Sequence, residues 1–183
     1  MNAPGRIVAL TGTPGAGKTT LAAAWAATRP RAMVIPVDEI RDFWVRTGHA
    51  TSFEWTDETE RQFALAEASA CDVARRYALD GFDVLIDHCR NLNRWDQMVA
   101  DHLVGLTVIK VCLIPQESVA LNRNHQRTNK TFPTHQLDDI IKGMAEPLRA
   151  DGRAGWVFLD NSHQTVEETL AELVDAVFPS QVQ

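Results

Sequence analysis

Short apolar runs alternate along the chain with longer stretches in which apolar residues recur every three or four positions. The first pattern predicts buried strands and the second amphipathic helices. Strands are expected at Arg6 to Thr11, Ala32 to Val37, Asp83 to Asp87, Thr107 to Ile114 and Trp156 to Asp160. An Ala-rich helix is expected over Thr19 to Thr28, stopped by Pro30. A long helix begins at Thr56 and ends at Gly81; Asp57 and Glu60 suit a capping box, and Phe63, Ala66, Ala70, Val73, Ala74 and Tyr77 make its apolar stripe. Asn93 is expected to cap a helix running to about Leu103. Further helices are expected over Gln116 to Lys130, His135 to Leu148 and Val166 to Phe178, the last acidic in its first turn as the macrodipole favours. Asp38 to Trp55 reads as irregular, with Phe43, Trp44, Phe53 and Trp55 among polar residues.

Five strands separated by helices specify an α/β fold: a parallel five-stranded sheet with helices on both faces. Ligands in such sheets sit at the carboxyl ends of the strands, so the residues just after each strand are the ones to examine.

The chain has 183 residues, a length that suits one domain over 1–183. Its net charge of −6 disfavours a protein that lives on nucleic-acid or membrane charge. Three cysteines, Cys71, Cys89 and Cys112, with no C-x-x-C pair, exclude a disulfide framework and a Cys-rich zinc site. The apolar runs are too short to span a bilayer, and the N-terminal residues do not read as a signal peptide. A soluble protein of a reducing compartment, the cytoplasm, is therefore expected.

The most specific chemistry follows the first strand. Gly12, Thr13, Pro14, Gly15, Ala16, Gly17, Lys18 and Thr19 fit G-x-x-x-x-G-K-[ST], with Thr20 after it. Glycines let the backbone wrap an anion with its N–H groups turned inward. The following helix adds its positive end. Lys18 is expected to reach the β- and γ-phosphates of a nucleoside triphosphate, and the Thr19 hydroxyl to ligate Mg²⁺.

Val84-Leu85-Ile86-Asp87 is an apolar strand ending in a carboxylate, the form of a Walker-B acid. Asp87 is the second candidate for Mg²⁺, its other reading being a helix cap or turn. Asp38 follows the second strand; with that strand near the first, it faces the γ-phosphate and takes the proton from an attacking hydroxyl. An N-cap for a helix starting near Glu39 is the other reading, with Glu39 and Asp42 as fallback bases. Arg41, one turn on, suits an anionic or hydroxylated substrate, or a solvated surface.

The densest cationic stretch is Leu121 to Lys130. Arg123 and Arg127 stand four apart and share a helix face. They suit a mobile helical lid, about 116–134, that clamps the transferring phosphoryl group and excludes water. An exposed charged helix is the alternative. His125 and His135 lack metal partners at ligand spacing. Asn161-Ser162-His163, after the fifth strand, suits the border of an adenine site or an ordinary turn.

With these motifs the chain resembles the small P-loop kinases over nearly its whole length, notably the chloramphenicol phosphotransferase-like family and the kinase domain of polynucleotide kinases. The resemblance implies a P-loop NTPase fold and ATP with Mg²⁺ as donor. It maps the base of those families onto Asp38 and their lid arginines onto Arg123 and Arg127. Asp38 to Arg41 looks like the Asp-x-x-Arg of polynucleotide kinases, and Asn91-Leu92-Asn93 like their Asn-Leu-Asn. A GTPase is not indicated: Asn129-Lys130-Thr131-Phe132 has Phe in place of Asp, and Asp87-His88-Cys89-Arg90 has Arg in place of Gly. The Gly and Pro of adenylate-type kinases are missing after the third strand, and AAA-type motors need more chain. The expectation is an ATP-dependent kinase acting on a hydroxyl of a small molecule. The alternatives are a 5′-hydroxyl polynucleotide kinase and a nucleotide-binding protein with slow or no hydrolysis.

Overall fold

The structure, a computed structural model, describes residues 3–128 and 132–179. Its elements run β1 (Ile7–Gly12), α1 (Lys18–Ala27), β2 (Ala32–Pro36), α2 (Val37–Glu39) continuing into a π-helical turn (Ile40–Trp44), α3 (Asp57–Leu79), β3 (Asp83–Asp87) and α4 (Leu92–His102). Then come β4 (Val108–Leu113), α5 (Glu117–His125), a 3-10 turn (Thr134–Leu137), α6 (Asp138–Asp151), β5 (Trp156–Leu159) and α7 (Val166–Val177). The strands form one parallel sheet in the order β2-β3-β1-β4-β5.

Strand β1 is central and wholly buried, so its side chains feed two cores in alternation. Ile7 and Ala9 point to one face, where Ala66, Ala70 and Ala74 of α3 and Trp95 and Met98 of α4 cover them. Val8 and Leu10 point to the other, beneath Leu21, Ala22 and Trp25 of α1 and Leu173 and Val177 of α7. Trp25 and Trp95 are the largest fully buried side chains of the two faces, and truncating either to Ala removes about 3–5 kcal/mol. Among the described residues no helix is long and apolar enough to cross a membrane.

Local chemistry moves several expected boundaries. Asn91, not Asn93, caps α4, because its side chain accepts from Arg94 N at 2.8 Å. Thr56 caps α3 by accepting from Thr59 N at 3.1 Å, so the Asp57–Glu60 capping box is not formed. The polar helix α5 stops at His125 rather than Lys130, and Lys130 lies outside the described residues. Helix α6 accommodates Pro147 and runs on to Asp151, where Gly152 supplies the left-handed cap. Val37, expected to end the second strand, and Asp38 to Trp44, expected to be irregular, are helical.

Candidate active site

The loop of residues 13–17 joins β1 to α1 at the carboxyl edge of the sheet, with Gly12 ending the strand and Lys18, Thr19 and Thr20 opening the helix. Gly15 has φ of 79°, and a Cβ there would stand 2.1 Å from Ala120 O, so the loop touches the backbone of α5. Lys18 Nζ lies back over the loop, donating to Gly12 O at 3.0 Å and Thr13 O at 3.1 Å. Thr13 Oγ1 is buried and has no hydrogen-bond partner within the protein. A buried hydroxyl of this kind needs a partner, and a phosphate oxygen supplies one. The loop fits the anion that its sequence implies.

Beside it, Thr19 Oγ1 donates to Asp87 Oδ2 at 2.8 Å. The register explains the meeting: Leu10 of β1 is paired with Asp87 of β3, at the place where β1 leads into the loop. A hydroxyl and a carboxylate are the hard oxygen ligands Mg²⁺ takes, completed in such sites by phosphate and water. Thr19 and Asp87 are thus the residues here that suit the cation.

Asp38 reaches the same region by a different route from the one expected. Strand β2 lies not against β1 but beyond β3, at the sheet edge. Pro36 pairs with Asp87, so Asp38 and His88 both follow the ends of adjacent strands. His88 Nδ1 lies 3.5 Å from Asp38 Oδ1, and its Nε2 lies 3.1 Å from Glu67 Oε1. His88 and Glu67 are fully buried, while the Asp38 side chain is 48% exposed. Glu67 also accepts from Arg90 Nε at 2.8 Å and Arg94 Nε at 2.6 Å. Arg90 is tied to β1 as well, its carbonyl accepting from Thr11 Oγ1 at 2.7 Å. Burial opposes charge on Glu67, but hydrogen bonds from His88 and Arg94 outweigh it and hold the carboxyl at about 2. Burial likewise opposes charge on His88, and the two carboxylates overcome it, raising the ring above its ordinary 6.5. Burial pushes the Cys71 and Cys112 thiols up to about 12, so neither is a nucleophile at neutral pH.

The remaining candidates are dispersed around this centre. Arg41 is buried rather than solvated, at 3% exposure. It donates to Ala50 O at 2.8 Å, pairs with Asp42 at 2.5 Å and lies over the Phe63 ring at 4.3 Å. Its side chain lines a cleft of about 500 Å³ with Val45, Gln62 and Leu65. Phe43, Trp44, Phe53 and Trp55 do not pack the core; each is about half exposed or more. Trp55 stacks on Phe63 at 5.0 Å, and Phe53 meets Phe132 edge-on at 5.1 Å.

Arg123 donates to Asn161 O at 2.9 Å, and Asn161 Nδ2 donates to Ala16 O at 2.9 Å. The turn after β5 therefore braces the phosphate loop, and Arg123 braces the turn. Arg127 lies beyond the end of α5, its amide donating to Asn124 O at 3.2 Å, so the two arginines do not share one stretch of α-helix. Residues 129–131 of the expected lid lie outside the described residues. His125 pairs with Asp138 at 2.8 Å.

Residues 7–147 match the AAA_33 family, described as an AAA domain. The chain belongs to that family. The family's description carries the AAA name, a class the sequence had been expected to fall outside. No curated protein matches the sequence. Among solved structures, it is similar to a sugar kinase from Janibacter sp. HTCC2649, at 19% identity and TM-score 0.71 over 95% of each chain. It is similar also to a gluconokinase from Sinorhizobium meliloti 1021, at 19% identity and TM-score 0.60, covering 97% of this chain and 93% of that one. A third is the shikimate kinase from Acinetobacter baumannii in complex with shikimate, at 16% identity and TM-score 0.64, covering 100% and 97%. The fold is thus that of the P-loop NTPases, with P-loop kinases among its structural neighbours.

Within this AAA-domain chain, Glu67, His88 and Arg94 join the site although no sequence motif marks them. Glu67 carried a signal: it stands four residues after Phe63, inside the apolar stripe of α3. An acid on a buried stripe needs a buried partner, and Arg90 and Arg94, also four apart, are that partner.

Proposed function

We propose that this protein is an ATP-dependent kinase that transfers the γ-phosphoryl group to a hydroxyl of a small molecule. The observation that carries the reading is a half-exposed carboxylate, Asp38, two residues beyond Pro36, whose register partner Asp87 pairs with the Thr19 hydroxyl at the start of the helix after the phosphate loop. Fold-level similarity to sugar, gluconate and shikimate kinases supports it by analogy only.

The loop amides and Lys18 hold the β,γ-phosphates and balance the charge that spreads over them during transfer. Thr19 and Asp87 would hold Mg²⁺, which supplies charge neutralisation on the phosphate oxygens when bound. Asp38 accepts the proton of the acceptor hydroxyl as its oxygen attacks phosphorus and the bond to the ADP leaving oxygen breaks. Arg123 and Arg127 belong to the lid side of the site, and Arg41 to the acceptor side. The half-exposed aromatics between Phe43 and Trp55 suit a small acceptor better than a nucleic-acid strand. The chloramphenicol phosphotransferase-like and polynucleotide-kinase resemblances remain the finer guides to the acceptor.

The test is transfer of γ-labelled phosphate from ATP-Mg²⁺ to sugars, nucleosides, hydroxylated antibiotics and a 5′-hydroxyl oligonucleotide. Label on one small molecule, lost in Lys18→Ala and cut about 10²-fold or more in Asp38→Asn, is expected. Label on the oligonucleotide, with steeply salt-dependent binding, would make it a polynucleotide kinase. Label released only as inorganic phosphate would make it a slow ATPase.

A further inference from the structure

We propose that His88 aims the carboxylate of Asp38, as a positioning residue for the transfer reaction. The inference rests on the reading of Asp38 as base. Asp38 is half exposed in the short helix α2, where an aspartate still has two common χ1 rotamers. The His88 ring beneath it, 3.5 Å away, favours one of them.

The ring is itself held on every side the structure describes. Its Nε2 meets Glu67 at 3.1 Å, and Glu67 is fixed by Arg90 and Arg94. Phe63 and Trp95 flank it, with ring centroids at 6.0 and 6.1 Å. The His88 amide donates to Leu10 O at 3.1 Å, tying its backbone to β1. A buried ion cluster adds little net stability over apolar packing of the same volume. Orientation is a use that this cluster does have: it fixes Nε2 of the ring, and the buried Nδ1, which makes no hydrogen bond within the protein, faces Asp38 at 3.5 Å. Position adds to the argument. Asp87 and His88 are consecutive, so the end of β3 delivers the carboxylate suited to the cation with one side chain and the support of the base with the next.

Two amide replacements separate the two ends of the ring. The Asn nitrogen stands where Nδ1 does and keeps a donor toward Asp38; the Gln nitrogen stands where Nε2 does and keeps the one toward Glu67. Crystal structures and transfer kinetics of the full chain would be compared for wild type, His88→Asn, His88→Gln, Asp38→Asn and the double variant Asp38→Asn/His88→Gln. The expected result is one Asp38 rotamer in wild type and His88→Asn, and a turned or divided one in His88→Gln. The kcat of His88→Gln falls about 10–100-fold at unchanged KM for ATP, as for a misplaced reactive group. His88→Asn recovers most of that loss, and His88→Gln adds nothing to Asp38→Asn.

An unchanged Asp38 rotamer in His88→Gln overturns the proposal. So does a His88→Gln loss that multiplies with that of Asp38→Asn, because a general structural defect multiplies. Full kcat in His88→Gln alongside a dead Asp38→Asn sinks the positioning role alone. Full transfer in Asp38→Asn sinks the base assignment instead, and the rotamers still decide whether His88 orients the side chain.

Discussion

Thr19 Oγ1 and Asp87 Oδ2 lie 2.8 Å apart although 68 positions separate them in the chain. Parallel pairing of β1 with β3 sets that approach before any side chain chooses a rotamer. Asp87→Asn keeps the size and the contact with Thr19 but removes the charge. Transfer is expected to fall at least about 10²-fold, the scale of a lost charge-stabilising contact in the transition state. Calorimetric titration of ATP with and without Mg²⁺ checks the cause: the gain in affinity that Mg²⁺ gives wild type should largely vanish in the variant.

Arg123 reaches the phosphate loop through Asn161. Arg123→Ala frees the turn that holds Ala16 O, so it should raise the KM for ATP several-fold. Asn161→Ala should do the same, and the double variant should be little worse than either. If Arg123 instead contacts the transferring group directly, kcat falls in Arg123→Ala alone, and steady-state kinetics separates the two.

Gly15 admits no side chain. Its φ of 79° disfavours Ala, and the added Cβ would stand 2.1 Å from Ala120 O, a backbone atom. Gly15→Ala should push the loop off α5. Nucleotide binding should be lost by calorimetry, with destabilisation of about 1–3 kcal/mol in urea melts.

Glu67 makes the stability acid-sensitive. Its carboxyl is held at about 2 against an ordinary value of 4.5, so the folded state favours the charged form. The stabilisation is complete above pH 4.5 and drains as pH falls toward 2, on the order of 3 kcal/mol in all. Glu67→Gln leaves Arg90, Arg94 and His88 without their shared carboxylate and should cost about 3–5 kcal/mol near neutrality. Urea melts between pH 7 and pH 3 should show the gap between wild type and variant narrowing with acid.

The sheet, the phosphate loop and the order of most helices were legible because each rests on local signals: apolar runs, spaced glycines and stop residues. The caps Asn91 and Thr56 were not legible, Asn93 and Asp57 being expected in their place, because several polar residues compete at each helix start and side-chain geometry decides. The place of β2 beyond β3 was not legible, since hydrophobic pattern does not state strand order. Arg41 reads like a surface residue in the chain; burial follows from Phe63 and Ala50, which a loop brings to it. The Asp38–His88–Glu67 series draws on three separate elements, so no spacing in the sequence announces it.

The strand order also sets a timetable for synthesis. Both neighbours of β1 arrive late: β3 begins at Asp83 and β4 at Val108. At ribosomal speeds of about 5–20 residues per second, the centre of the sheet waits roughly 4–15 s for its first partner. During that interval Ile7 to Leu10 is an unpaired apolar segment, exposed to any chaperone near the exit tunnel. The loop that follows β1 is thus translated well before either strand that flanks it.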